Sequence, residues 1–199
     1  MYPEFPVTNV IEEVLPAFYN KYDLGRDGGI SADEVKIIFY KNIYLYIPNI
    51  NARKKAVLKH DIHHIVTGYT SDFKGETEIS AWEIASGCKR YWAAAALDLS
   101  GMTLGFLFNL RGVFRAFVIG KRTRNLYDNA IPDNEVVKMT IGELRARLGL
   151  DATTHCKPTI KVLISFLWWE FKGAIYIILS ALLLPLLIIY TIVIAMRKQ

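Results

Sequence analysis

Apolar positions along the chain fall into a series of helix-like stripes, closed by one long stretch in which charged positions disappear. Val10, Ile11, Val14, Leu15 and Phe18 recur at helical spacing, which predicts a helix over 7–22 with Thr8 or Asn9 as its cap. Gly25, Gly28 and Gly29 break that pattern. Residues 35–47 alternate loosely and fit either a helix or a strand, ending at Pro48-Asn49. Two helices are predicted over 52–66 and 75–86, joined through a turn at Gly68, Tyr69 and Asp72, with Gly87 as a stop. Residues 91–110 read as a nearly all-apolar helix and 111–127 as one carrying basic residues. A short amphipathic helix follows over 141–148, capped by Thr140 and ended by Gly149. There is no internal repeat and no low-complexity segment.

From Gly173 to Met196 no side chain is charged. At about 1.5 Å of rise per residue, such a helix crosses a hydrocarbon core of about 30 Å with room for tilt. Trp168, Trp169, Phe171, Lys172 and Tyr176 cluster at one edge, and Tyr190, Arg197 and Lys198 at the other, as interfacial residues do. Pro185 is tolerable where neighbours satisfy the carbonyl it frees. The plainer reading is a buried core helix or one that pairs with a second copy in a homodimer. The expected fold is all-α: a compact multi-helix body with a C-terminal transmembrane helix. The expected division is a helical metal-binding domain over 1–157, an interfacial linker over 158–172 and the anchor over 173–196.

Composition sharpens this picture. Hydrophobic residues make up 52% of the 199, well above a globular average and concentrated in the tail. Glu4, Glu12 and Glu13 interrupt any N-terminal signal sequence, so a single-pass tail anchor with a cytoplasmic body is expected. Two cysteines, Cys88 and Cys156, suggest no disulfide framework. The net charge of +5 suits an anionic membrane surface, and no recognition motif for nucleic acid accompanies it.

The candidate chemistry lies at His60-Asp61-Ile62-His63-His64. With about 100° per residue, His60 and His64 stand one turn apart and Asp61 lies beside them on one arc. Two imidazoles need further donors for a divalent ion, and Glu76, at the start of the next helix, is the nearest. The candidate metal ligands are therefore His60, Asp61, His64 and Glu76. Glu83 is two turns further on, too far from Glu76 for the same shell, and reads as a support or a second polar group. The bland reading is a pair of surface histidines and a glutamate complementing a helix N-terminus. Zinc fits two nitrogens and two oxygens best, with iron, manganese or cobalt as alternatives, and a ligand left out of the shell would open a coordination position.

His60-Asp61-Ile62-His63-His64, eleven residues and Glu76 resemble the H-D-x-x-H…E signature of the coenzyme Q biosynthesis protein four family, in its bacterial branch. The flanking PNINARKKAVLKHDIHHIVTGYT and GETEISAWEIASG agree, and the resemblance spans about Pro48 to Tyr127. It implies a helical protein on a quinone-producing membrane, with a metal held at His60, Asp61, His64 and Glu76. It also implies a prenylated quinone precursor as substrate, replacement of a ring carboxyl by hydroxyl, and other quinone-biosynthesis enzymes as partners. A lipid-binding scaffold for such a complex is the alternative. The apolar tail and the N-terminal third depart from the family pattern. In the enzymatic reading, His63 or Glu83 handles a proton as a catalytic group.

The remaining motifs carry less. Ala93–Ala96, Gly101 and Gly105 permit close helix approach or a channel for an isoprenoid chain, with core packing the default. Arg111, Arg115, Lys121, Arg122 and Arg124 form a basic stretch that is either a solvated face or a membrane-lipid contact. Asp23 to Glu34 imitates a calcium loop, but Gly25 stands at its third position, and a Gly-rich turn explains it. The His-x-x-His-His run also resembles one desaturase box, yet the chain holds only four histidines. An H-D phosphohydrolase would need further ligands, for which only His155 is at hand.

Overall fold

The computed structural model describes residues 3–40, 43–88, 90–128, 131–151 and 157–197. The described chain is mostly helical with one antiparallel hairpin. Helix α1 spans Ile11–Lys21, followed by strands β1 (Glu34–Tyr40) and β2 (Ile43–Pro48). The helices α2 (Asn51–Thr67), α3 (Phe73–Ser86), α4 (Trp92–Phe108) and α5 (Leu110–Gly120) form the body. Short α6 (Asp133–Val136) and α7 (Ile141–Leu148) precede α8 (Ile160–Ala181) and α9 (Leu184–Arg197).

The all-α expectation holds for the body but not for the hairpin. In the segment that fitted either a helix or a strand, the β-branched and aromatic residues pair as Val35 with Ile47 and Ile37 with Leu45. Asn49 pins the base of the hairpin, its side-chain amide donating to the carbonyls of Gly29 and Ala32. In the preceding loop Asp27 accepts from the backbone of Gly29 and Ser31, which is turn chemistry, and Glu34 opens a strand where a calcium hand requires a helix.

One core unites the body. Ile11, Val14 and Phe18 of α1 meet Ile62, Ile65 and Val66 of α2, with Trp82 of α3 and Phe117 of α5 fully buried beneath them. The α1 entry is fixed by a bridge between Val10 and Thr140, and Thr140 also forms a capping box with Glu143 at the start of α7. Helices α3, α4 and α5 approach closely. A Cβ added to Gly105 would lie 2.5 Å from Thr77 and from Val113, and Gly101 faces Ser80. The small residues of α4 thus serve helix contact, and side chains fill the space a channel at Gly101 and Gly105 would need.

The tail differs from its expected boundaries. Residues 158–172, expected as a linker, are helical from Ile160, with the Thr159 hydroxyl accepting from Val162. The expected single helix over 173–196 breaks at Leu182–Leu183. Pro185 has no N–H to offer the carbonyl of Ala181, and its ring crowds that carbonyl, so α8 stops there. Phe166 of α8 is buried among Phe106, Phe114 and Phe117, and Gly173 lies against Thr103 of α4. Most of the remaining α8 surface is exposed and apolar. Helix α9 returns to the hairpin, where the Tyr46 N–H donates to the Thr191 hydroxyl. The segment containing His155 and Cys156 lies outside the described residues.

Because Thr77 and Val113 leave no room at Gly105, Gly105→Val is expected to destabilise the body by about 1–3 kcal/mol. Urea unfolding of the detergent-solubilised chain, followed by far-ultraviolet circular dichroism, measures it; an unchanged midpoint would contradict the packing described.

Candidate metal centre

Two adjacent helices build the centre. Gly68, with a φ of 76°, ends α2 in the left-handed conformation that glycine adopts without penalty. Asp72 then caps α3 by accepting from the Gly75 N–H. This short turn reverses the chain and returns Glu76 to the histidines of α2.

His60 Nε2 and His64 Nε2 face each other at 3.2 Å. Each also faces one Glu76 oxygen, at 3.4 Å for His60 and 3.3 Å for His64. Four ligands about 2.0–2.1 Å from one tetrahedral ion stand about 3.3 Å apart, so these three side chains have the spacing of a shared coordination shell. The Glu76 side chain is 41% exposed whereas that of His64 is 1% exposed, so the opening lies on the glutamate side. Ser71 steadies that carboxylate with a 2.7 Å hydrogen bond.

The outer ring nitrogens decide what the inner ones carry. His64 Nδ1 lies 2.9 Å from the Tyr69 carbonyl, which can only accept, so Nδ1 holds the hydrogen. His60 Nδ1 lies 3.1 and 3.2 Å from the two oxygens of Glu83. Burial would raise the Glu83 carboxyl, but His60 and His63 outweigh it and hold it well below the usual range. It therefore accepts, and His60 Nδ1 donates. Both Nε2 atoms are left aimed at the same point. Neutral imidazoles so placed repel unless a proton or a cation lies between them. Burial alone would lower His60, yet Glu83 and Glu76 raise it well above the ordinary imidazole value, marking a position that attracts positive charge.

Asp61 does not join the three. No oxygen of Asp61 belongs to either group of ligand atoms lying within 4.8 Å of one another. Its Cβ leaves the helix about 60° from that of His64 and 100° from that of His60. Its carboxylate instead turns to Tyr19 and the backbone of Gly28, and Oδ2 has no hydrogen-bond partner.

His63 and Glu83 are both fully buried, so neither reaches a substrate in the opening. His63 Nε2 accepts from the Leu126 N–H at 2.9 Å and Nδ1 donates to Glu83 at 2.5 Å. With both nitrogens engaged and its pKa lowered by burial, His63 is a fixed neutral donor. Glu83 accepts from His60 and His63, and the Tyr127 hydroxyl also points at it at 3.4 Å.

Asp98 is the group that sequence reasoning read only as an interruption of an apolar helix. Burial and the charge of Glu83 raise its carboxyl well above the ordinary range, and Cys88 donates to it at 3.4 Å. Asp98, Glu83 and His60 form the second cluster within 4.8 Å, but His60 already spends Nδ1 on Glu83. A lone carboxyl in a mostly apolar stretch was the available signal. Tyr127, Tyr69 and Leu126 contribute through a distant hydroxyl or through backbone atoms, which leave no trace in a motif.

No protein-family model, no curated protein and no solved structure matches the chain. The chemistry of the centre therefore rests on its own geometry.

Burial pushes the Asp61 carboxyl up to about 6, against an ordinary 3.8, although His60 and His64 pull the other way. The folded state thus binds the proton more tightly than the unfolded chain, and stability falls as pH rises through about 4 to 6. In chelator-stripped protein Asp61→Asn, which carries no charge to bury, is expected to raise Tm at pH 8 by a few degrees, a gain that should vanish by about pH 4. In untreated protein the metal content should be unchanged. Thermal scans across pH with elemental analysis measure both, and loss of metal from this variant would return Asp61 to the shell.

Proposed function

We propose that the chain is a membrane-associated, metal-dependent protein of prenyl-quinone biosynthesis, acting on the ring of a prenylated aromatic precursor. The single observation that supports it is the convergence of His60 Nε2, His64 Nε2 and Glu76, with each outer imidazole nitrogen already committed to an acceptor. Metal-binding histidines are held in this way, by a carboxylate or carbonyl on the far nitrogen. His60, His64 and Glu76 would hold the ion, and Asp61 is not among them. Two nitrogens and one carboxylate suit zinc, with iron and manganese as further candidates.

A bound divalent ion supplies a Lewis-acidic position beside the exposed edge of Glu76, where a phenol or ring carboxylate is polarised. The protein supplies orientation. Glu83 fixes the His60 ring, His63 fixes Glu83, and the Leu126 N–H fixes His63, so the donor set is rigid before anything binds. Replacement of a ring carboxyl by hydroxyl is the reaction that the resemblance of His60–Glu76 to the coenzyme Q protein four signature suggests.

The membrane part of the reading rests on α8. From Gly173 through the rest of α8 and α9 no side chain is charged until Arg197, and Trp168 and Trp169 beneath Lys172 stand just before that stretch, where interfacial anchors belong. Arg111 and Arg115, exposed on one face of α5, are suited to anionic headgroups.

Purified full-length protein is expected to carry about one equivalent of metal, and His64→Ala to lose it. Expressed in quinone-deficient cells, the wild type should restore quinone and His64→Ala should let a ring-carboxylated precursor accumulate. Retained metal with full quinone output in His64→Ala would overturn the proposal; lost metal with an intact quinone pool would leave a scaffold. Glu83→Gln keeps the size of the side chain and weakens the acceptor, so metal affinity should fall about 10–100-fold. Competition against a chromogenic chelator reads this, and an unchanged affinity would remove Glu83 from its supporting role.

A further inference from the structure

An open cavity of about 680 Å³ lies between the starts of α2 and α4 and the segment leading into α6. That volume falls within the range of small-molecule sites. Three cations line it: Lys55, Lys59 and Arg90. Lys59 is almost fully buried and paired with Asp133, so its charge is answered within the protein. Lys55 and Arg90 are exposed and have no carboxylate partner among the described residues. The cavity therefore keeps a net charge of two.

Two backbone features add to that charge. Ala52 belongs to the first turn of α2 and Trp92 opens α4, and both line the cavity. Neither helix start has a side-chain cap, Ile50 and Tyr91 being unable to supply one. Two helix starts without a side-chain cap thus border the same space as Lys55 and Arg90, and their dipoles add positive potential near it.

The remaining wall is aromatic. Trp92 is 64% exposed at the rim, and the Tyr91 and Tyr127 rings meet at a tilt with centroids 4.8 Å apart. An indole left open beside two unpaired cations offers a flat apolar surface next to a dianion site.

We infer that this cavity binds a phosphate monoester, its dianion held by Lys55, Arg90 and the two helix starts, and its organic part laid on Trp92. A carboxylate would answer only half the charge. The inference does not depend on the metal reading, since no ligand of the metal centre lines the cavity.

Phenyl phosphate titrated into the detergent-solubilised full chain is the test, read by calorimetry. It should bind at least tenfold more tightly than phenol, which lacks the charge, and more tightly than inorganic phosphate, which lacks the ring. Arg90→Gln and Lys55→Gln should each weaken it about tenfold, and both positions are exposed, so the fold is not at risk. Arg111→Gln removes an equal charge from α5 and should change nothing. Trp92→Ala should weaken phenyl phosphate and leave inorganic phosphate as it was. Dihexanoyl phosphatidic acid separates the sources: competition with phenyl phosphate identifies a lipid headgroup site, and its absence a soluble phosphate monoester. Equal binding of phenol and phenyl phosphate, or full affinity in Arg90→Gln, would overturn the inference, and so would equal loss in Arg111→Gln.

Discussion

Two imidazole nitrogens facing each other 3.2 Å apart, across a position that a proton or a cation fills, are the constraint on which the centre of this molecule depends. Without that positive charge the pair would be repulsive, and each ring is held from behind. Tyr69 holds His64 through a carbonyl, and Glu83 holds His60 through a carboxylate. The grip on Glu83 then recruits His63, Tyr127 and the Leu126 backbone, so a buried polar chain runs from the ring pair into the core. A buried network of this kind is costly when left half satisfied, and here nearly every member has a partner.

The helical frame meets this demand through small residues. Close approach of α3, α4 and α5 at Gly105 and Gly120 brings Glu83 and Asp98 inside one another's reach while excluding water. At Gly120 an added Cβ would stand 2.6 Å from the Trp82 carbonyl, one residue before Glu83. The same tightness that builds the core therefore sets the position of the acceptor behind His60. Stability and site geometry are not separate properties of this packing.

Much of this was legible in the sequence, and the failures are instructive. The i, i+4 pair His60 and His64 with Glu76 after a glycine turn is a local pattern, and local patterns survive translation into structure. Asp61 stands outside the group of His60, His64 and Glu76 because adjacency in sequence is not convergence in space, and a helix turns its neighbour by about 100°. The hairpin over 34–48 was undecidable by periodicity, since alternating aromatic and β-branched residues of that length fit two periods. The role of Asp98 was hidden because it depends on burial against Glu83, a contact made across the fold rather than along it. The break at Leu182–Leu183 was signalled by Pro185, but its position shifts the long helix toward the body.

That shift gives Phe166 a meaning beyond anchoring. Its ring occupies a slot bounded by Phe106, Phe114 and Phe117, so the helix that carries the outward apolar face also completes the interior. A shortened chain ending before Ile160, of the kind made to obtain water-soluble material, would leave an aromatic-sized hole next to the helices that place Glu83. Such a fragment would be deprived of part of its own foundation, and whatever it failed to do would say little about the intact protein.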